Sequence, residues 1–313
     1  MSKDKSWLEQ VKGLPPHASY THQTGQSEKD INDYWTNEKM EASLPIPKPR
    51  LKWDPNNQIS QLTPDGMPIG QPFTVHPNSP MNLQQTGSVV SNPGGWPFSA
   101  VGKMFMTING QNFSGTVFSV SGAKNVFMTA GHCVYDQASQ QWATNVLVCL
   151  SYSPTYPGAQ FAATNLITTC GWINSAGYQY DIGGGIVNGD MFTGRGNFGI
   201  LFNQGANTGP WSAVGYPANA PYPGNTMYQS VGSYIGGDPN QPGTIGMNNN
   251  DMGGGASGGP WIVNSNWGYV NGHQSYDYDN PDTDEYSPYY GVAAYNVWVC
   301  GVSGGQQCGG CQV

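Results

Sequence analysis

The chain has 313 residues and a formal net charge of −8, with 37% hydrophobic residues, only 10% charged residues, 44 glycines and 24 prolines. That length admits one large domain or two smaller ones with a sizeable core; the acidic balance speaks against a nucleic-acid partner, and no run approaches the ~20 apolar residues of a membrane span. Turn-forming and aromatic residues in this abundance, with so little charge, describe a β protein rather than a helical one.

Charge is placed unevenly. Eight of the eleven Lys and Arg fall in residues 1–52, whereas residues 89–313 carry only Lys103, Lys124 and Arg195 against ten acids. The first ten residues, Met1 to Gln10, have no apolar core of a secretory signal, so an export signal is either trimmed or of another kind. Residues 27–42 read as a short helix: Ser27 caps it, Asp30 lies in its first turn, and Ile31, Tyr34, Trp35 and Lys39 recur at three- and four-residue spacing. Nine prolines between Pro45 and Pro80 then exclude a central strand or a long helix and suggest an extended segment that wraps a surface or hangs free. Residues 1–88 are therefore read as an N-terminal extension, and a disordered leader with no inhibitory role stays open beside any other assignment.

From residue 89 the pattern is short strands punctuated by Gly, Asn and Pro turns: 101–108, 114–120, 125–129, 145–151, 182–187, 198–202, 211–215, 227–234, 261–263, 268–272 and 290–299. Strands at this spacing without helices between them suggest antiparallel barrels or sandwiches.

The chemistry centres on Gly253-Gly254-Gly255-Ala256-Ser257-Gly258-Gly259-Pro260. A serine held among glycines can be turned outward on a tight bend while the amides of Gly255 and Ser257 point into one small space, the arrangement that stabilises an oxyanion. A phosphate-binding loop would need a Gly-x-x-x-x-Gly-Lys run, which is absent near it. A serine nucleophile needs a base, and of five histidines His132, in Thr129-Ala130-Gly131-His132-Cys133, follows the apolar stretch Val126-Phe127-Met128 and so sits where a strand meets a turn. Asp181, just ahead of Ile182-Gly183-Gly184-Gly185-Ile186-Val187, supplies the orienting carboxylate. Asp136 and Asp190 read as turn residues.

These three motifs, in the order His, Asp, Ser and separated by about 50 and about 75 residues, resemble the chymotrypsin-like (trypsin-fold) serine peptidases, on the bacterial and fungal side near the glutamyl endopeptidases. The resemblance spans roughly residues 89–313. It implies an all-β domain of two antiparallel six-stranded β-barrels with the active site between them, preceded by residues 1–88 as a pro-region with a cut near Ser88-Val89. It further implies a secreted, monomeric serine endopeptidase with a protein or peptide substrate and no cofactor. Two competitors remain. A protease fold whose catalysis is lost would serve only recognition, although all three positions are intact. Gly-x-Ser-x-Gly at 255–259 also fits an α/β-hydrolase, but that fold needs an acid and then a histidine after the serine, and only His273 follows, with no acid between.

The residue before the nucleophile is Ala256, where the animal trypsins carry an aspartate, so a new N-terminal ammonium has no carboxylate there to pair with. Six cysteines, at 133, 149, 170, 300, 308 and 311, fit disulfides of an exported domain better than a zinc knuckle built from Cys300, Cys308, Cys311 and Cys170. The family pairs the cysteine beside the histidine with the preceding strand, but Asn112-Phe113-Ser114-Gly115 offers none, so Cys149 is the expected partner of Cys133, with at least one further bond in the C-terminal cluster. Asp277, Asp279, Asp282, Asp284 and Glu285 crowd one loop, which a Ca²⁺ ion would relieve, although solvated acidic loops are commoner.

Two signals for specificity conflict. By resemblance, Asp251, six residues before Ser257, forms the floor of the substrate pocket and favours Arg or Lys, whereas His273 matches the histidine with which glutamyl endopeptidases receive an acidic side chain, displaced by about one residue. A desolvated carboxylate is the stronger physical term, so the expectation is a basic residue at the cut site.

Overall fold

The computed structural model describes residues 6–52, 73–76, 88–175, 177–263, 268–279 and 283–308. Six strands, Val101–Ile108, Gln111–Ser119, Val126–Ala130, Ile182–Val187, Ala159–Thr169 and Thr144–Leu150, pair antiparallel in that spatial order, and the last returns to the first. The sheet closes into a barrel and leaves no free edge. Both faces of its strands are covered, with Phe105, Val117, Phe127, Leu147 and Ile167 all fully buried.

The glycine run in Ile182–Val187 makes that closure possible. A Cβ on Gly183 would lie 2.4 Å from the Ala130 carbonyl oxygen, and one on Gly185 would lie 2.4 Å from the Asn165 carbonyl oxygen and 2.6 Å from the Phe127 ring. Only glycine lets the strand fit between Val126–Ala130 and Ala159–Thr169. The resulting register sets Ile182 opposite Ala130, which brings Asp181 alongside Gly131 and His132.

The second half is built from a seven-stranded sheet in the order Phe73–Val75, Gly199–Phe202, Tyr269–His273, Pro260–Val263, Trp211–Gly215, Tyr228–Gly232 and Ser88–Val89, with a three-stranded sheet of Tyr234–Gly236, Thr244–Met247 and Glu285–Pro288 beside it. It has its own core around Trp211, Met247, Met252 and Trp261. The fold is thus all-β as expected, with one barrel closed and the second half formed by these two sheets.

After residue 88, three described strands of four or more residues escaped the sequence pattern: Ala159–Thr169, Thr244–Met247 and Glu285–Pro288. One expected strand, 290–299, is instead the helix Val292–Val302, which packs on the barrel strands Ile182–Val187 and Ala159–Thr169. Eight of its residues, from Val292 to Gly301, are buried, so it has no polar face to give a helical period, and its valines imitate a strand.

The expected 27–42 helix is two short ones, Glu28–Tyr34 and Asn37–Glu41, broken at Trp35-Thr36. Ser27 and Asp30 form the capping box, and Thr36 caps the second helix through the Lys39 amide. Of the described part of residues 1–88, the stretch up to Ile46 lies on the barrel, whereas Arg50–Leu51, Phe73–Val75 and Ser88 pair with the second half. Ser19–Gln23 pairs antiparallel with Ala159–Thr169, from Ser19 opposite Thr169 to Gln23 opposite Asn165. Ile31, Trp35, Met40 and Ile46 are buried against the core, each contributing about 1.5–3 kcal/mol of apolar burial. The expectation that the proline-rich segment hangs free concerns mostly residues 53–72 and 77–87, which lie outside the described residues; its described start, residues 44–51, wraps the molecular surface.

Candidate active site

Four elements converge where the barrel meets the second half. The turn Gly131–Cys133 presents His132 at the end of Val126–Ala130, and Asp181 stands at the head of Ile182–Val187. Asp181 accepts two hydrogen bonds from His132: Oδ1 from the backbone amide at 2.7 Å, and Oδ2 from Nδ1 at 2.8 Å. The Nδ1–H tautomer this requires leaves Nε2 as the acceptor. Burial opposes a charged imidazole at His132, but the fully buried Asp181 carboxylate overrides it and raises the imidazole pKa above its ordinary value.

Ser257 arrives from the other half. Its backbone carbonyl accepts the Thr116 amide at 2.9 Å, and the Thr116 hydroxyl donates to the Gly255 carbonyl at 2.9 Å, so a threonine of a barrel strand pins the nucleophile loop. Gly258, at φ +83°, lies so close that a Cβ would stand 2.0 Å from Thr129 Oγ1 and 2.4 Å from the Thr116 carbonyl oxygen. Ser257 Oγ and His132 Nε2 are both buried, and neither has a hydrogen-bond partner among the described residues. Such a pair of atoms left without partners marks a place where strain or chemistry is stored.

Sequence reasoning missed Ser275 and misassigned His273. The Ser275 hydroxyl donates to Asp181 Oδ2 at 2.6 Å. His273 is fully buried: Nε2 donates to the Asp181 backbone carbonyl at 2.9 Å, and Nδ1 accepts from the Tyr290 hydroxyl at 3.0 Å. Burial pushes its pKa down to about 4, so it is neutral. Both ring nitrogens are spent inside the protein, and His273 supports Asp181 rather than meeting a substrate side chain. Asp251 is also displaced from its expected role: it is exposed and accepts the Tyr222 hydroxyl at 2.5 Å, so it is no buried pocket floor. Asp136 ends the short strand Tyr135–Asp136 and accepts the Ser139 amide of the turn that follows, and Asp190 accepts the Phe192 and Thr193 amides.

The crevice beside His132 is lined by Phe113, Tyr135, Trp172 and Tyr178 and is crossed by the chain's own residues 44–51. Leu44–Pro45 pairs with Phe113–Ser114, and Arg50–Leu51 pairs with Asp277–Tyr278. Between these ends the Gly255 amide, one of the two expected oxyanion donors, donates to the Ile46 carbonyl at 3.3 Å.

One of the two cysteine expectations holds. Cys300 bonds Cys308, as expected of the C-terminal cluster, whereas Cys133, Cys149 and Cys170 are free and buried, so the expected Cys133–Cys149 bond is absent. Cys133 Sγ lies against Gly115 and the Ser257 carbonyl, while Cys149 is a barrel residue in register with Lys103 and Gln160. Cys311 lies outside the described residues. In the acidic loop, Asp277 pairs with Arg50 and Lys48, and Glu285 with Lys48, so basic side chains give the charge relief for which Ca²⁺ was considered; no cluster of three metal-ligating side chains occurs among the described residues, and Asp282 is not one of them.

No protein-family model and no curated protein matches the chain. Solved structures do. The protease Anisep from Arthrobacter nicotinovorans is 29% identical over 68% of this chain and 97% of its own, with a TM-score of 0.61. A thermostable serine protease, AL20, from an extremophilic microorganism is 28% identical over 64% of this chain and 96% of its own, with a TM-score of 0.59. A Glu endopeptidase at 21% identity, covering 69% of this chain and 96% of its own with a TM-score of 0.56, shares the fold. The chain has the trypsin/chymotrypsin fold of the serine proteases.

Proposed function

We propose that the protein is a serine endopeptidase working through His132, Asp181 and Ser257. Ser257 Oγ attacks the substrate carbonyl as His132 Nε2 takes its proton; His132 then returns that proton to the leaving amine, and water hydrolyses the acyl-enzyme by the same route in reverse. Asp181 fixes the tautomer and stabilises the imidazolium, and the amides of Gly255 and Ser257 hold the oxyanion. The observation that carries this reading is the doubly bonded His132–Asp181 pair, with a free Nε2 beside a Ser257 loop whose Gly255 amide already holds a main-chain carbonyl. The protease neighbours support it and point to peptide substrates.

We further propose that residues 1–88 are a pro-region that restrains activity by covering the crevice until a cut near Ser88-Val89. The Ile46 carbonyl occupies the Gly255 amide, and the bond that follows it leads to Pro47, whose nitrogen carries no hydrogen and whose ring stiffens the strap. The match to the neighbours takes in nearly all of each of them while leaving part of this chain unmatched. A disulfide, and the lack among the described residues of any helix long and apolar enough to cross a membrane, support an exported protein.

Fluorophosphonate labelling tests the reading directly. After limited proteolysis and displacement of residues 6–52 the protein should be labelled at Ser257 and should cleave casein, and Ser257→Ala should lower kcat by about a millionfold without unfolding the chain. A Ser257→Ala protein that cleaves at near the wild-type rate refutes the assignment, and a cut, folded protein that binds peptides but takes no label is a silent protease fold.

A further inference from the structure

Lys48 lies in the middle of the strap, yet its side chain is only 4% exposed. It turns inward beside the nucleophile loop: Nζ donates to the Met252 carbonyl at 2.8 Å, pairs with the Glu285 carboxylate, and has Asp277 Oδ2 at 3.5 Å. Glu285, on Glu285–Pro288, is fully buried, and its Oε1 has no hydrogen-bond partner among the described residues.

We propose that Glu285 is the specificity-determining residue of the enzyme, and that Lys48 occupies the pocket into which a substrate's Lys or Arg side chain enters once the strap leaves. This rests on the endopeptidase reading above. The pocket borders the candidate site: Lys48, Gly253, Gly254 and Asp277 line one cavity, Met252 is five residues before Ser257, and Asp277 is two residues after Ser275, the partner of Asp181. A buried ammonium needs both a counter-charge and hydrogen-bond acceptors, and this site provides a carboxylate and a carbonyl together. An acidic substrate side chain would face Glu285 and Asp277 and be repelled. A neutral one would leave a buried carboxylate without a partner, which its surroundings already disfavour: burial pushes the Glu285 carboxyl up, against the pull of Lys48. The free Oε1 also suits a guanidinium, whose fork reaches both oxygens while an ammonium takes one. The basic preference expected from Asp251 is thereby kept and reassigned to a residue 34 positions later in the chain, on a different strand.

The full-length chain gives a test that needs no turnover. Lys48→Ala empties the pocket, and p-aminobenzamidine, a small aromatic amidine, serves as the probe, read by its fluorescence and by the rise in Tm. Saturable binding is expected in Lys48→Ala, with at least tenfold weaker binding in wild type, where Lys48 competes, and in Lys48→Ala/Glu285→Gln. If Lys48→Ala folds poorly because Glu285 is left alone, the double variant removes both charges and should fold, and the probe should refold the single variant only. No binding or refolding in Lys48→Ala, or binding that survives Glu285→Gln, overturns the assignment. Fluorophosphonate labelling of the same Lys48→Ala protein, after proteolysis and displacement of the strap, separates the two readings: label without amidine binding in the uncut chain rejects the pocket alone, and amidine binding without label after the strap is displaced rejects the nucleophile and leaves Glu285 as the basic-group site.

Discussion

Ser275 and Asp181 stand 94 positions apart in sequence, and the Ser275 hydroxyl donates a 2.6 Å hydrogen bond to the same Asp181 oxygen that holds the His132 ring. A carboxylate so bonded keeps one orientation, so Ser275 acts on the reaction through Asp181. Ser275→Ala in the processed enzyme should lower kcat by about 10- to 100-fold, as expected for losing a hydrogen bond to a charged group, with KM nearly unchanged. A rise in KM at constant kcat would place Ser275 in substrate binding instead.

His273 grips the Asp181 backbone from the other side, and its neutral ring has no nitrogen left for a substrate. His273→Gln should therefore reduce kcat/KM on Arg, Lys and Glu substrates alike. A change in the ratio between them, measured on peptides that differ only at that residue, would return His273 to the specificity role.

The pH dependence follows from His132, which must be neutral to accept the Ser257 proton. Its pKa is raised, so the neutral form gains population only as pH climbs above the ordinary imidazole value, and the acid limb of kcat/KM should lie above pH 6.5. Removing the carboxylate charge in Asp181→Asn should move that limb down and depress the plateau. By linkage, the stabilising His132–Asp181 pair is fully present below the unfolded value near 6.5 and is lost as pH rises through the folded pKa. A limb that stays in place in Asp181→Asn would separate His132 from the pH profile.

Cleavage between residues 53 and 87 should leave the β domain folded, because its barrel closes through its own six strands while Ser19–Gln23 only adds a seventh beside Ala159–Thr169. Residues 6–52 should stay attached after the cut through Ile31, Trp35 and Met40, with activity rising at least tenfold only when they are displaced. Intact mass, size-exclusion chromatography and peptide hydrolysis on one sample test this. Unfolding on cleavage would make the N-terminal region part of the core.

Alkylation under native conditions should spare Cys133, Cys149 and Cys170, since burial shields all three, and should modify them once the chain unfolds. Non-reducing peptide mapping should find Cys300 joined to Cys308. Recovery of a Cys133–Cys149 peptide would overturn the pairing described above.

The sequence by itself determined the class of the fold and the three residues of the proposed chemistry, because both are carried by local signals. Alternating short strands with Gly and Pro turns declare a β domain, the N-terminal caps at Ser27 declare a helix start, and a histidine, an aspartate and a glycine-bound serine each follow or precede an apolar strand. Tertiary structure alone decided what depends on pairing distant segments. Val292–Val302 is a helix because the barrel buries it on most sides, which erased the polar face that announces helices in a sequence. Asp251 and His273 have the residue types of a specificity pocket, yet a hydroxyl from Tyr222 holds one at the surface and the Asp181 backbone holds the other inside. Glu285 read as one more acid in a crowded loop until Lys48, 237 residues away, was found against it. A charge in a sequence has no neighbours except along the chain, and whether it is solvated, paired or poised for a ligand is set by what the fold packs around it.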